Sequence, residues 1–197
     1  MKTKIDLIDV GGNTGSVMRC LERLNVSYLR VDADQQPDGT RPIILPGVGA
    51  FGAVMKQLET NGLKQQINKC IKNGTPFLGI CVGMQVLFES SEESPGVDGL
   101  GVLPGNVVRY QNPKVPQIGW NRIEAQKNDW ESGYVYFVNS YFAKPDDDSL
   151  VLFSSNYSGK FCAAVERDNV TAFQFHPEKS GSFGETLLRR WLTNAAC

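Results

Sequence analysis

In the first half of the chain, short continuous apolar runs alternate with stretches of helical period. Ile5, Leu7, Ile8 and Val10 mark a buried strand over residues 5–10, and further strands are predicted over 26–31, 41–45 and 76–80. Between them Val17, Leu21 and Leu24 fall on one face of a helix over 16–24. Helices follow over 52–59 and 63–72, the latter closed by Asn73-Gly74, and another is predicted over 84–90. Strands alternating with helices across short connections argue for a mostly parallel sheet covered on both faces.

Beyond Ser90 the period shortens. Segments 107–110, 120–124, 135–139, 150–154, 161–166 and 170–175 read as strands, separated by Asn, Asp, Gly and Pro. They lie too close together for intervening helices, so this half adds antiparallel or mixed strands. A last helix is predicted over 183–195, with Ser182 and Glu185 as a capping box and Leu187, Leu188, Trp191 and Leu192 on its buried face. No repeat, linker or low-complexity tract breaks the pattern. One α/β domain over residues 1–197 is the expectation.

Charge narrows the function classes. Twenty basic and 21 acidic residues leave a net charge of −1 with no basic run, which points away from nucleic acid and anionic membranes. The N-terminal apolar stretch carries charges and is too short for a membrane span, so a cytoplasmic protein is expected. The five cysteines form no CxxC pair, and one histidine cannot complete the usual mixed Cys/His zinc site. No metal and no organic cofactor is called for. Cys20, Cys70 and Cys162 sit at apolar positions suited to packing, and Cys197 is terminal.

Only Cys81 has chemistry around it. Residues 76–80 run directly into Gly79-Ile80-Cys81-Val82-Gly83, a cysteine form of the nucleophile elbow, in which a strand turns sharply into a helix. Taken alone, this segment also reads as a packed strand-to-helix turn. A cysteine nucleophile needs a base, and His176 is the one imidazole available. It follows an apolar run and precedes Pro177-Glu178, where Glu178 can orient the ring. A third turn, Pro46-Gly47-Val48-Gly49-Ala50-Phe51, also follows a strand, so all three sites can share the carboxyl rim of one sheet. The Val82 amide and one from Gly47-Val48-Gly49 then form an oxyanion hole, and the helix after Cys81 favours a thiolate. Gly11-Gly12-Asn13-Thr14-Gly15 matches neither GxGxxG nor the Walker pattern.

The two segments Gly79-Ile80-Cys81-Val82-Gly83-Met84-Gln85 and Gln174-Phe175-His176-Pro177-Glu178 resemble the signatures of the class I (triad) glutamine amidotransferases. Within that family the chain is most similar to the glutaminase subunits of imidazole glycerol phosphate synthase. This closer match rests on residues 45–52, on Ser91-Glu92-Glu93-Ser94-Pro95-Gly96-Val97, on Gly119-Trp120-Asn121, on Tyr136-Phe137-Val138 and on His176-Pro177-Glu178-Lys179-Ser180-Gly181. The resemblance implies a flavodoxin-like fold with a mixed, mostly parallel central sheet and helices on both faces. It implies that Cys81 attacks glutamine, that His176 moves the protons and that Glu178 holds the imidazole. It further implies an oxyanion hole from Val48, Gly49 and Val82, and glutamine binding by Gly47, Gly49, Gln85, Ser140 and Tyr141.

The implied partner is a separate (β/α)8-barrel cyclase subunit that takes up the ammonia in histidine biosynthesis, with Asn13, Trp120, Tyr136 and Lys179 at the interface. Without that partner such subunits are nearly inactive, because a Gly47-Val48-Gly49 peptide must turn its N–H into the oxyanion hole. The chain departs from the pattern at Asn139 and at Gln117-Ile118, where the family usually has histidines, and in a first loop one residue shorter, Gly11-Gly12-Asn13. A glutaminase serving another synthase, of the surface-sugar, anthranilate or aminodeoxychorismate type, is one alternative. A non-catalytic regulatory subunit is another, marked by a broken triad.

Overall fold

The computed structural model describes residues 4–11, 14–33, 35–111 and 114–195. In chain order its first elements are β1 (Lys4–Ile8), α1 (Thr14–Arg23), β2 (Ser27–Val31), β3 (Ile43–Gly47), α2 (Phe51–Thr60) and α3 (Leu63–Lys72). Then come β4 (Phe77–Cys81), α4 (Val82–Gln85), β5 (Ser90–Ser91), β6 (Gly105–Arg109), β7 (Gln117–Ala125) and β8 (Gly133–Asn139). The chain closes with β9 (Tyr141–Pro145), β10 (Val151–Asn156), β11 (Lys160–Arg167), β12 (Val170–Phe173) and α5 (Gly181–Ala195).

Among the described residues, nine strands form one sheet in the order β2-β1-β3-β4-β12-β11-β10-β7-β8. The β2-β1-β3-β4-β12 half is parallel and the rest antiparallel. A smaller sheet, β5-β6-β9, packs beside it. β3, β4 and β12 are buried along their whole length, which is why their sequences are apolar runs rather than alternations. β7 and β8 instead alternate, and leave Ile118, Trp120, Tyr134 and Val138 exposed on one face of their hairpin.

Three expectations need correction. The helix predicted over 84–90 stops at Gln85. Val86, Leu87 and Phe88 are buried all round, and their carbonyls accept from the amides of Leu100, Val102, Leu103 and Gly101 instead of extending a helix. Strand β9 had no counterpart, because Tyr141-Phe142-Ala143-Lys144-Pro145 is too mixed to read as one; its pairing with β6 makes it a strand. The Ser182/Glu185 capping box does not form: α5 already begins at Gly181, and Glu185 pairs with Arg23 of α1 at 2.9 Å. Leu187, Leu188, Trp191 and Leu192 are buried on that helix as expected, and Cys20, Cys70 and Cys162 are buried free thiols.

The turn from β4 into α4 depends on close backbone contact. A Cβ on Gly83 would stand 1.9 Å from the Leu45 carbonyl oxygen, and one on Gly79 would stand 2.5 Å from the Gly83 carbonyl oxygen. Both obstacles are backbone atoms, one in β3 and one in α4, and cannot rotate away. Gly83→Ala is therefore expected to cost at least about 1–3 kcal/mol of stability, measured by urea denaturation, and to reduce Cys81 chemistry through displacement of the turn.

Candidate active site

β3, β4 and β12 are parallel neighbours, so their carboxyl ends lie on one edge of the sheet. Gly47 pairs with Cys81 and Phe173 with Ile80, which sets residues 47–49, 81–82 and 174–176 side by side. Cys81 has φ 56 and ψ −110, a left-handed conformation held by the strand pairing before it and the glycine contacts after it. Such a backbone costs on the order of 1–3 kcal/mol and persists only where the surroundings over-determine it. It turns the thiol out of the sheet and into a pocket. The expected help from a helix dipole is small, because α4 is only four residues long and few peptide dipoles line up.

His176 is held from several directions. Phe175 stacks on Phe173 at 4.9 Å and meets Phe137 edge-on at 5.9 Å, which pins the chain just before the histidine. The His176 amide donates to the Tyr136 carbonyl at 2.9 Å. Ser180 Oγ donates to the His176 carbonyl at 2.6 Å and accepts from the Tyr136 amide at 2.9 Å. The imidazole Nδ1 meets Glu178 Oε1 at 2.9 Å, with both side chains buried, which leaves Nε2 for the Cys81 side. Burial pulls the imidazole pKa down, but hydrogen bonds to Cys81 and Glu178 outweigh it and push the value up to about 10. The ring therefore carries its proton at neutral pH beside the sulfur.

The pocket occupies about 280 Å³ and is lined by Val48, Gly49, Cys81, Val82, His176 and Lys179, and also by Gln85, Ser140 and Tyr141. Gly49 sits at φ 96, in the left-handed region that favours glycine, with open space where a Cβ would be. Glu178 lies behind His176 rather than on the pocket wall. Gly47, expected to bind glutamine, does not line the pocket: a Cβ there would stand 2.7 Å from the Gly83 amide, so its smallness serves the elbow. Lys179, expected at a partner interface, is on the pocket wall. Trp120 and Tyr136 lie on the β7–β8 hairpin outside it, with ring centroids 6.1 Å apart. Asn13 lies outside the described residues.

Sequence reasoning assigned no role to Glu93 and did not single out Tyr110. Glu93 lines the pocket, and its Oε2 accepts from the Phe51 amide at 2.7 Å, tying the segment after β5 to the first turn of α2. Its only signal was its place in the Ser91-Glu92-Glu93-Ser94 motif. Tyr110 joins the two departures from the family pattern. Asn139 Nδ2 donates to the Tyr110 hydroxyl at 3.0 Å, and that hydroxyl donates to Gln117 Oε1 at 3.1 Å. Burial pushes the Tyr110 phenol well above its usual range, so it stays a donor at any working pH. Both unusual residues are thus paired with each other through one tyrosine.

The sequence profile described as Glutamine amidotransferase class-I matches residues 6–195. The chain belongs to the class I glutamine amidotransferases. Imidazole glycerol phosphate synthase subunit HisH of Geobacillus thermodenitrificans is 43% identical, covering 96% of this chain and 95% of that protein. HisH of Thermococcus kodakarensis is 44% identical, with 95% and 98% covered. Among solved structures, one described as a glutamine amidotransferase superposes with a TM-score of 0.80 at 21% identity, covering 98% of this chain and 99% of that one. PurLQS from Thermotoga maritima gives 0.79 at 19% identity over the full length of both chains. These two likenesses establish the shared fold of the amidotransferase.

The raised pKa gives this amidotransferase a pH signature with a definite sign. A histidine that binds its proton more tightly when folded stabilises the fold fully below about 6.5, and loses that contribution as pH rises toward about 10. Glu178→Gln removes one of the two bonds that raise the value. The alkaline decline in stability should then be complete at lower pH than in the wild type, as read by denaturation from pH 6 to 10.5. Identical curves would mean that Glu178 does not hold the imidazolium.

Proposed function

We propose that the chain is the glutaminase subunit of an imidazole glycerol phosphate synthase, acting in the cytoplasm as one glutaminase domain through Cys81, His176 and Glu178. The observation that carries this reading is an intact Cys-His-Glu constellation, Cys81 and His176 on one pocket wall and Glu178 behind the imidazole, in a chain similar along nearly its whole length to HisH subunits. A non-catalytic subunit has no use for a buried imidazolium beside a strained cysteine. The Cys81 sulfur attacks the glutamine carboxamide carbon, and the oxyanion that forms accepts from the amides of Val82 and Gly49. His176 gives its proton to the departing nitrogen, which leaves as ammonia, and a γ-glutamyl thioester remains. Neutral His176 then takes a proton from water as the water attacks the thioester, releasing glutamate and the Cys81 sulfur.

Both Nε2 protons of Gln85 are spent on Tyr141 O and Gln174 Oε1, so it offers the pocket its Oε1, an acceptor for substrate N–H groups. Gly49 has the freedom of φ that a rotating oxyanion peptide needs, in line with activation by a docked partner. The partner we infer is a (β/α)8-barrel cyclase subunit seated on the β7–β8 hairpin. Ile118 is 63% exposed and Trp120 57%, large apolar groups that water does not favour. On the other strand of that hairpin, the Tyr136 carbonyl holds His176 and the Val138 carbonyl lies 3.9 Å from Cys81 Sγ. A partner pressing on this face therefore bears on the catalytic groups through two backbone contacts.

Glutamate release is measured for the chain alone and with an imidazole glycerol phosphate synthase barrel and its ligand. Strong stimulation on mixing is expected, and a rate indifferent to that barrel assigns the subunit to another synthase. Cys81→Ser should reduce glutamine-driven synthesis to background while the complex still uses free ammonia. Surviving glutamine turnover would remove Cys81 as nucleophile. Trp120→Ala should weaken the complex by at least about tenfold, because buried aromatics concentrate interface energy, with the melting temperature of the free chain little changed.

A further inference from the structure

A line of buried amide side chains leads to the nucleophile. Gln85 Nε2 donates to the Tyr141 carbonyl at 3.0 Å and to Gln174 Oε1 at 3.1 Å, and Gln174 Nε2 lies 3.9 Å from Cys81 Sγ. Asn139 Nδ2 donates to the same Tyr141 carbonyl at 2.9 Å. A carboxamide usually has two interchangeable orientations, but here the ambiguity is removed by logic. The Tyr141 carbonyl can only accept, so Gln85 must turn its nitrogen toward it. The same nitrogen reaches Gln174, so Gln174 must present its oxygen to Gln85. The remaining face of the Gln174 amide, the N–H side, is then directed at the sulfur. Gln174 is fully buried, and its backbone amide donates to the Ala163 carbonyl at 2.9 Å, so the side chain starts from a fixed point.

We propose that Gln174 is a positioning residue of the glutaminase reaction, its amide N–H held toward the Cys81 sulfur by the Tyr141 carbonyl acting through Gln85. The proposal rests on the glutaminase reading and deepens it. The Val138 carbonyl oxygen, also 3.9 Å from the sulfur, accepts a hydrogen bond from the neutral thiol and repels the anion. Gln174 offsets that repulsion together with His176. The one-turn α4 helix contributes few aligned dipoles, so side-chain donors carry this task.

The test is the rate of Cys81 alkylation by iodoacetamide against pH in the full chain, which needs neither partner nor glutamine turnover. Gln174→Met keeps the length and most of the volume of the side chain and removes the donor. The titratable groups near the sulfur, His176 with Glu178 behind it, Glu93, Tyr141, Lys179 and the more distant Tyr110, are untouched by this change. The alkylation midpoint should rise by about 0.5–1 pH unit, a three- to tenfold loss of reactive sulfur on the acid side of the midpoint. In the complex kcat should fall by a similar factor with KM little changed, and the deficit should shrink as pH rises.

Gln174→Asn, which keeps an amide but draws it back by one methylene, should behave like Gln174→Met, whereas a packing role would separate the two. It also serves if the methionine variant does not fold. Tyr110→Phe removes a buried hydroxyl beyond the Tyr141 carbonyl and should leave the midpoint in place. An unmoved midpoint in the Gln174 variants, or an equal shift in Tyr110→Phe, overturns the proposal. If instead the wild type shows no glutamine hydrolysis with any barrel while the midpoint still moves, the glutaminase reading fails and the Gln174 contact stands.

Discussion

Where α4 crosses the carboxyl end of β3, backbone meets backbone with no room for a side chain. The position a Cβ would take on Gly83 is 1.9 Å from the Leu45 carbonyl oxygen, and the one on Gly47 is 2.7 Å from the Gly83 amide. This contact forces the chain to leave β4 through a left-handed residue, and that residue is the nucleophile. Everything else at the site is arranged around a sulfur whose direction is set by the main chain rather than by a free rotamer. The strain is sustained because β4 is a central strand, paired on one side with β3 and on the other with β12.

The second half of the site is built on the antiparallel extension of the sheet. β8 bonds the His176 segment through the Tyr136 amide and carbonyl, and aromatic contacts among Phe137, Phe173 and Phe175 press the same segment from within. The hairpin that does this also carries the exposed apolar face. The same two strands thus bury one set of side chains and expose the alternate apolar set, the ordinary consequence of a period-two side-chain pattern. Movement of the hairpin cannot leave His176 unaffected, since hydrogen bonds join them without an intervening loop.

The departures from the family pattern at 117 and 139 illustrate how polar groups are accommodated here. Gln117 and Asn139 are both buried, and each is joined to the Tyr110 hydroxyl. Two neutral amides and a phenol that does not ionise form a pairing insensitive to pH, where imidazoles would titrate. Positions 117 and 139 therefore add no titrating group beside the site.

Much of this was present in the order of residues. Continuous apolar runs determined the central strands, because strands buried on both faces tolerate little else. The spacing Gly79-x-Cys81-x-Gly83 determined the elbow, since only small residues permit the crossing, and a single histidine left no choice of base. Tertiary structure decided the rest. The shortening of the helix after Cys81 follows from loop amides at 100–103 that claim the carbonyls a helix would use. The strand character of 141–145 arises from pairing with β6, not from its own composition. The polarity of the Gln174 amide follows from a carbonyl reached only through a second side chain, more than thirty positions away in the chain. Local pattern dictates what a segment can become, whereas hydrogen-bond direction depends on which acceptors folding brings within about 3 Å.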